Sequence, residues 1–87
     1  DPIQNNNKTV RELKKRALNS VKTLSNKLSI HDFRMVEGKT HTNLVFDVIV
    51  PFEVDITKQD IIKCLNKEFN NGKMIYNFVF DIDRNYV

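Results

Sequence analysis

The sequence predicts an α+β fold: an α-β-β-α-β open-faced sandwich, with two helices on one face of a three-stranded mixed sheet. Three observations carry this. Apolar residues recur at steps of three and four over residues 10–28 and 61–69, and each stretch is preceded by a Thr-x-x-acid capping sequence. Residues 31–51 read as a β-rich run, a Glu-Gly-Lys turn and a β-branched run that stops at a proline. A final β-rich run over residues 74–83 follows the second helical stretch, making a strand–helix–strand unit expected to be right-handed with parallel strands.

Residues 1–8 are polar, with three consecutive asparagines, and are expected to form a flexible lead or linker to the domain at residues 9–87. Thr9 is the expected N-cap of the first helix, with Glu12 reaching back to it. Val10, Leu13, Ala17, Val21, Leu24 and Leu28 then form one apolar stripe on a helix of about five turns. The first strand is expected over residues 30–37 and the second over 42–50. In the second, Leu44, Phe46, Val48 and Val50 share one face, and Val45, Asp47 and Ile49 share the other.

Gly38 supplies the permissive backbone of the turn, read as three residues centred on Lys39. Pro51 ends the ladder because it has no amide hydrogen to donate. Thr57 and Asp60 form the second capping box, opening a helix to about Phe69 that buries Ile61, Ile62, Leu65 and Phe69. Asn70-Asn71-Gly72 is read as its left-handed C-cap. The resulting layout is related to the ferredoxin-like fold. Its second sheet face is left bare, and apolar area there predicts a second copy of the chain as partner, through the bare face and a sheet edge.

Eighty-seven residues form one domain, of modest stability from its core alone. Cys64 is the only cysteine, which excludes an internal disulfide and fits a reducing compartment. No apolar run approaches the roughly 20 residues that span a bilayer. The net charge of +3 is mild, although Lys and Arg crowd the first third, where they read as a solvated helix face rather than a nucleic-acid surface. No nucleophile–base pair, glycine loop or cofactor motif points to an enzyme.

The residues that carry chemistry are acids and one histidine. Asp81 and Asp83 stand two apart on a strand and share a face. The three-residue turn places His31 across from Asp47, but the same register also puts Phe33 on the His31 face, so a bulge or another turn stays open. A His–Asp pair near two further carboxylates has the oxygen-rich donor set of a divalent-metal site. Asp60 is a fifth candidate, with a simpler reading as a helix N-terminal carboxylate. His41 beside the turn is expected to be exposed, and Asp83-Arg84 is expected to be a solvated strand end.

His31-Asp32-Phe33-Arg34, the run from Thr40-His41-Thr42 through Phe46-Asp47-Val48 to Pro51, and the closing Asp81-Ile82-Asp83-Arg84-Asn85-Tyr86-Val87 resemble the cation diffusion facilitator family. The likeness is to the C-terminal cytoplasmic, metallochaperone-like domain of its bacterial members, which are divalent-metal/proton antiporters. It spans roughly residues 10–87. The resemblance implies the same α-β-β-α-β order, a homodimer, a covalently attached transmembrane part preceding the domain, and a place at the cytoplasmic face of the cell membrane.

It also implies metal ligands at His31, Asp47, Asp60, Asp81 and Asp83. Histidines of the zinc-transporting branch fall on Asp47, near Asp60 and on Asp81, so the implied site is weak or absent for zinc and better suited to manganese or iron(II). An RNA-binding module and a small-molecule-binding sandwich are the competing readings.

Overall fold

The computed structural model describes residues 7–70, 72 and 74–85. The element order is α1 (Asn7–Lys22), β1 (Ser29–Glu37), β2 (His41–Pro51), α2 (Lys58–Phe69) and β3 (Ile75–Asn85). The sheet order is β1-β2-β3, with β1 antiparallel and β3 parallel to the central strand. This is the open α+β sandwich that the sequence patterns predict.

Helix α1 starts two residues before the expected cap, so Thr9 lies inside its first turn and is not the N-cap. Nothing between Asn7 and Thr9 is a helix breaker, and the coil continues upstream of the apolar stripe. The helix stops at Lys22, short of Leu28. The amide of Thr23 donates to the Ser20 carbonyl at 3.1 Å and that of Leu24 to Val21 at 3.0 Å, tightening the last turn. The Lys22 ammonium then caps the Asn26 carbonyl at 2.9 Å. Leu28 is buried from the loop beyond the helix, and Leu24 is left exposed.

The hairpin reaches the expected pairing by a different route. Glu37 pairs with Thr42 and the Gly38 amide donates to the His41 carbonyl at 2.8 Å, so Gly38 and His41 close the hairpin on a two-residue link, Lys39 and Thr40, in place of a three-residue one. Gly38 does not take a positive φ. Gly38 is required instead because the His41 carbonyl oxygen would lie 2.7 Å from any Cβ placed there. The shorter link offsets the ladder by one residue, and a bulge at Asp32–Phe33 shifts it back, restoring His31 opposite Asp47. Asp32 takes the left-handed conformation, with φ 55°. The bulge turns Phe33 to the helix side, where it stacks on Phe46 at 5.6 Å, and turns Arg34 to the open side beside Val45.

Helix α2 forms as its sequence dictates. Thr57 Oγ1 accepts from the Asp60 amide at 3.2 Å and the Asp60 carboxylate accepts from the Thr57 amide at 3.1 Å, completing the capping box. Ile61, Leu65 and Phe69 are buried, with Ile62 half-buried. The C-terminus departs from the expected left-handed cap: Asn70 has φ −97° and ψ 54°, and Asn71 lies outside the described residues. Asn70 ends the helix with its own amide groups. Its backbone N–H donates to the Asn66 carbonyl at 2.9 Å, and its side chain bonds both backbone groups of Tyr76 in β3.

One core joins the layers. Leu13, Ala17 and Val21 from α1 and Ile61, Leu65 and Phe69 from α2 pack on Leu44, Phe46, Val48 and Val50 of β2. Phe46 stacks on Phe80 at 5.3 Å, and Phe69 meets Tyr76 and Phe78 edge-on. Every sheet phenylalanine therefore faces the helices. The opposite face is mixed rather than uniformly apolar: exposed Val36, Ile75 and Val79 alternate with His31, Asp47, Asp81 and Asp83.

Candidate metal-contact site on the open sheet face

The cross-strand register decides which candidates meet. His31 of β1, Asp47 of β2 and Asp81 of β3 occupy one rung across all three strands. Asp47 is half-buried, whereas His31 and Asp81 are exposed. Asp83 lies on the same face, one rung of that face further along β3 and beside Ile49. A shallow depression of about 570 Å³ opens at this end of the sheet, with Asp32, Arg34, Asp47, Val79 and Asp81 among its lining residues. It combines three carboxylates and one guanidinium on a low apolar floor.

Asp60 stands apart. It belongs to the first turn of α2, and the helices pack on the other face of the sheet. Its carboxyl is held below its ordinary range, first by the hydrogen bond from the Thr57 backbone, then by the Thr57 side chain. A carboxylate committed to a capping box in this position does not share an ion with Asp47. The five implied ligands thus divide into a row of three, Asp83 beside it, and one residue on the far side.

The row fits a metal only in part. Among the described residues no three His, Cys, Asp or Glu side chains converge closely enough to hold an ion. The donors are aligned along a pleated surface rather than gathered around a point. An ion there would draw its remaining ligands from water or from a second molecule, and the oxygen-rich donors suit hard cations over zinc. The remaining histidine, His41, is exposed and shares a 2.8 Å hydrogen bond with the Thr40 hydroxyl, away from the row.

Two residues that the sequence suggests are solvated each tie one part of the chain to another, at different places in the fold. Arg84 is not a solvated strand end. Its guanidinium is half-buried and donates to the carbonyls of Val54 at 2.6 Å, Ile56 at 3.3 Å and Pro51 at 3.4 Å. It fixes the loop from β2 to α2, and so the height at which β2 and β3 end together. Arg16 is likewise more than solvated helix face: it pairs with Glu68 at 3.2 Å and lies over the Phe69 ring at 4.5 Å. A basic residue beside an apolar position on each element was the only available signal.

Cys64 sits between the helices, half-buried, with its thiol donating to the Ser20 carbonyl at 2.8 Å and 3.0 Å from the Ser20 hydroxyl. It ties α2 to α1. No helix is long and apolar enough to cross a membrane among the described residues. Comparison with family models, with curated proteins and with solved structures finds no match for the chain.

Proposed function

We propose that this chain is the cytoplasmic dimerisation domain of a divalent-cation efflux transporter of the cation diffusion facilitator type, with a weak, oxygen-rich cation contact on its open sheet face. The single observation that supports the reading best is the placement of His31, Asp47 and Asp81 in one rung across three strands. Three polar residues far apart in sequence meet there on a face with no helix over it. The sequence resemblance names the same three positions, and the α-β-β-α-β order agrees with it.

The domain's task in this reading is to hold two protomers together and to respond to cytosolic metal. A cation stabilises the paired state only by binding it more tightly than the separated state. One chain offers an aligned but open donor row, so completion by a second copy would supply that difference. Enzymatic activity is not part of the proposal.

The same face supports this reading better than an RNA-binding one. Modules of that kind stack bases on aromatic side chains of the exposed sheet. Here Phe46, Phe78 and Phe80 point to the helices, and the open face carries Val, Ile, Asn and Asp with His31 and Arg34. Titration with divalent cations, followed by light scattering and calorimetry, tests the proposal.

A further inference from the structure

The sheet has two outer edges, and they are built differently. The β1 edge is interrupted by the bulge at Asp32–Phe33 and carries Arg34 and Glu37, features that discourage strand addition. The β3 edge has no bulge, and its charges, Asp81, Asp83 and Arg84, are confined to its second half. It runs eleven residues in unbroken register with β2, with no Pro, Gly or Lys, and its first half, Ile75 to Phe80, is uncharged.

Its backbone polarity follows from the parallel pairing. The Ile75 amide donates to Thr40, so alternate residues from Ile75 onward direct their backbone groups to β2 and those between direct theirs outward. Tyr76 is the first outward residue, and the Asn70 side chain occupies both of its groups, at 2.8 Å and 3.2 Å. That amide imitates a neighbouring strand for one residue and then stops. Phe78, Phe80 and Ile82 follow with outward N–H and C=O groups to which no described residue is paired.

We infer that β3 pairs antiparallel with β3 of a second copy of this chain, joining two three-stranded sheets into one of six strands. The inference rests on the homodimer part of the reading above and not on the metal. A two-fold axis requires the antiparallel arrangement, in which the same patch meets itself and the assembly closes. Charge favours it too. Parallel alignment in register would set Asp81 and Asp83 against their own copies. The antiparallel one sends them toward the partner's uncharged half of β3. Pairing β1 to β3 would propagate without closing, and the bulge opposes it.

Amide hydrogen exchange of the whole chain at high and low protein concentration, with light scattering in parallel, tests this. The expected result is a dimer in which the Phe78, Phe80 and Ile82 amides exchange at least about a hundredfold more slowly than in the dilute monomer. Val45→Lys, which charges the open face away from the edge, is expected to leave the dimer intact. Ile82→Pro removes one outward donor without touching the β2 ladder and is expected to give a folded monomer. A dimer whose three amides exchange freely and which Val45→Lys dissociates would overturn the edge pairing while keeping the homodimer. A monomer at all concentrations would overturn both.

Discussion

Arg84 shows how one side chain sets the geometry of several others. Three carbonyls of the β2–α2 loop converge on its guanidinium, a fork whose several donors a lysine ammonium cannot reproduce from one point. Hydrogen bonds from a charged donor are each worth about 1.5–3 kcal/mol when a partner would otherwise be buried unpaired. Arg84→Ala is therefore expected to cost about 2–3 kcal/mol, lowering the melting temperature by on the order of 10–20 °C for a domain of this size. Arg84→Lys should recover only a minor part, which thermal unfolding of both variants would show.

Asp32 behaves in the opposite sense. A left-handed φ costs a non-glycine residue about 1–2 kcal/mol, and aspartate is among the few that tolerate it. Asp32→Gly is expected to hold or raise stability, by up to about 1 kcal/mol, and Asp32→Val to lower it by at least as much. Denaturant unfolding of the two variants checks the sign. Equal destabilisation by both would mean that the Asp32 side chain matters more than its backbone.

At the scale of elements, α2 is the most legible part of the chain, because its start is written in two side chains that bond each other's amides. That capping box carries a pH dependence with a definite sign. The folded state lowers the Asp60 carboxyl value, so the unfolded chain takes up the proton more readily and stability rises with pH across that interval. The contribution is complete above the unfolded-state value and is lost as pH falls through the lowered folded value. Asp60→Asn should accordingly be less stable than wild type at neutral pH, with the gap closing in acid. A gap independent of pH would remove the carboxylate from the cap.

The hairpin was legible only in outcome. A three-residue turn without a bulge and a two-residue link with one both place His31 opposite Asp47, and the sequence does not separate them by turn composition alone. The spacing of Ile30, Phe33 and Met35 held the missing signal. A strand with period two reaches the core again after two residues, and the step of three from Ile30 to Phe33 marks the inserted residue. Helix α1 ends short of the span its periodicity suggests for a related reason. Leu28 continues the apolar period although the chain has already left the helix, so periodicity reports burial and not backbone conformation. Asn70 and Arg84 act across long sequence distances, and no local pattern announces such bonds.

At the scale of the whole molecule, segregation of side chains by face is the organising fact. Aromatic and aliphatic residues fill the space between sheet and helices, and the candidate site lies on the face left over. The sheet topology brings His31, Asp47 and Asp81 into one rung; the sequence places His31 across from Asp47 and Asp81 on the neighbouring strand, but does not fix the register between the two aspartates. The same topology removed Asp60, because a helix N-terminus above one face cannot serve the other. The strength of any cation contact is not written in the sequence, since it depends on how far the donors converge.

In the proposed reading divalent cations contact the open-face row and not the capping carboxylate. Isothermal calorimetry with Mn²⁺, Fe²⁺ and Zn²⁺ on wild type, Asp47→Ala and Asp60→Asn tests it most directly. Wild type is expected to bind with a Kd on the order of millimolar or tighter, as for sites with few carboxylates. Binding at least about tenfold weaker is expected in Asp47→Ala, the equivalent of one lost charged ligand, with no change in Asp60→Asn. Equal heats from wild type and Asp47→Ala, or no heat with any of the three ions, would contradict the reading.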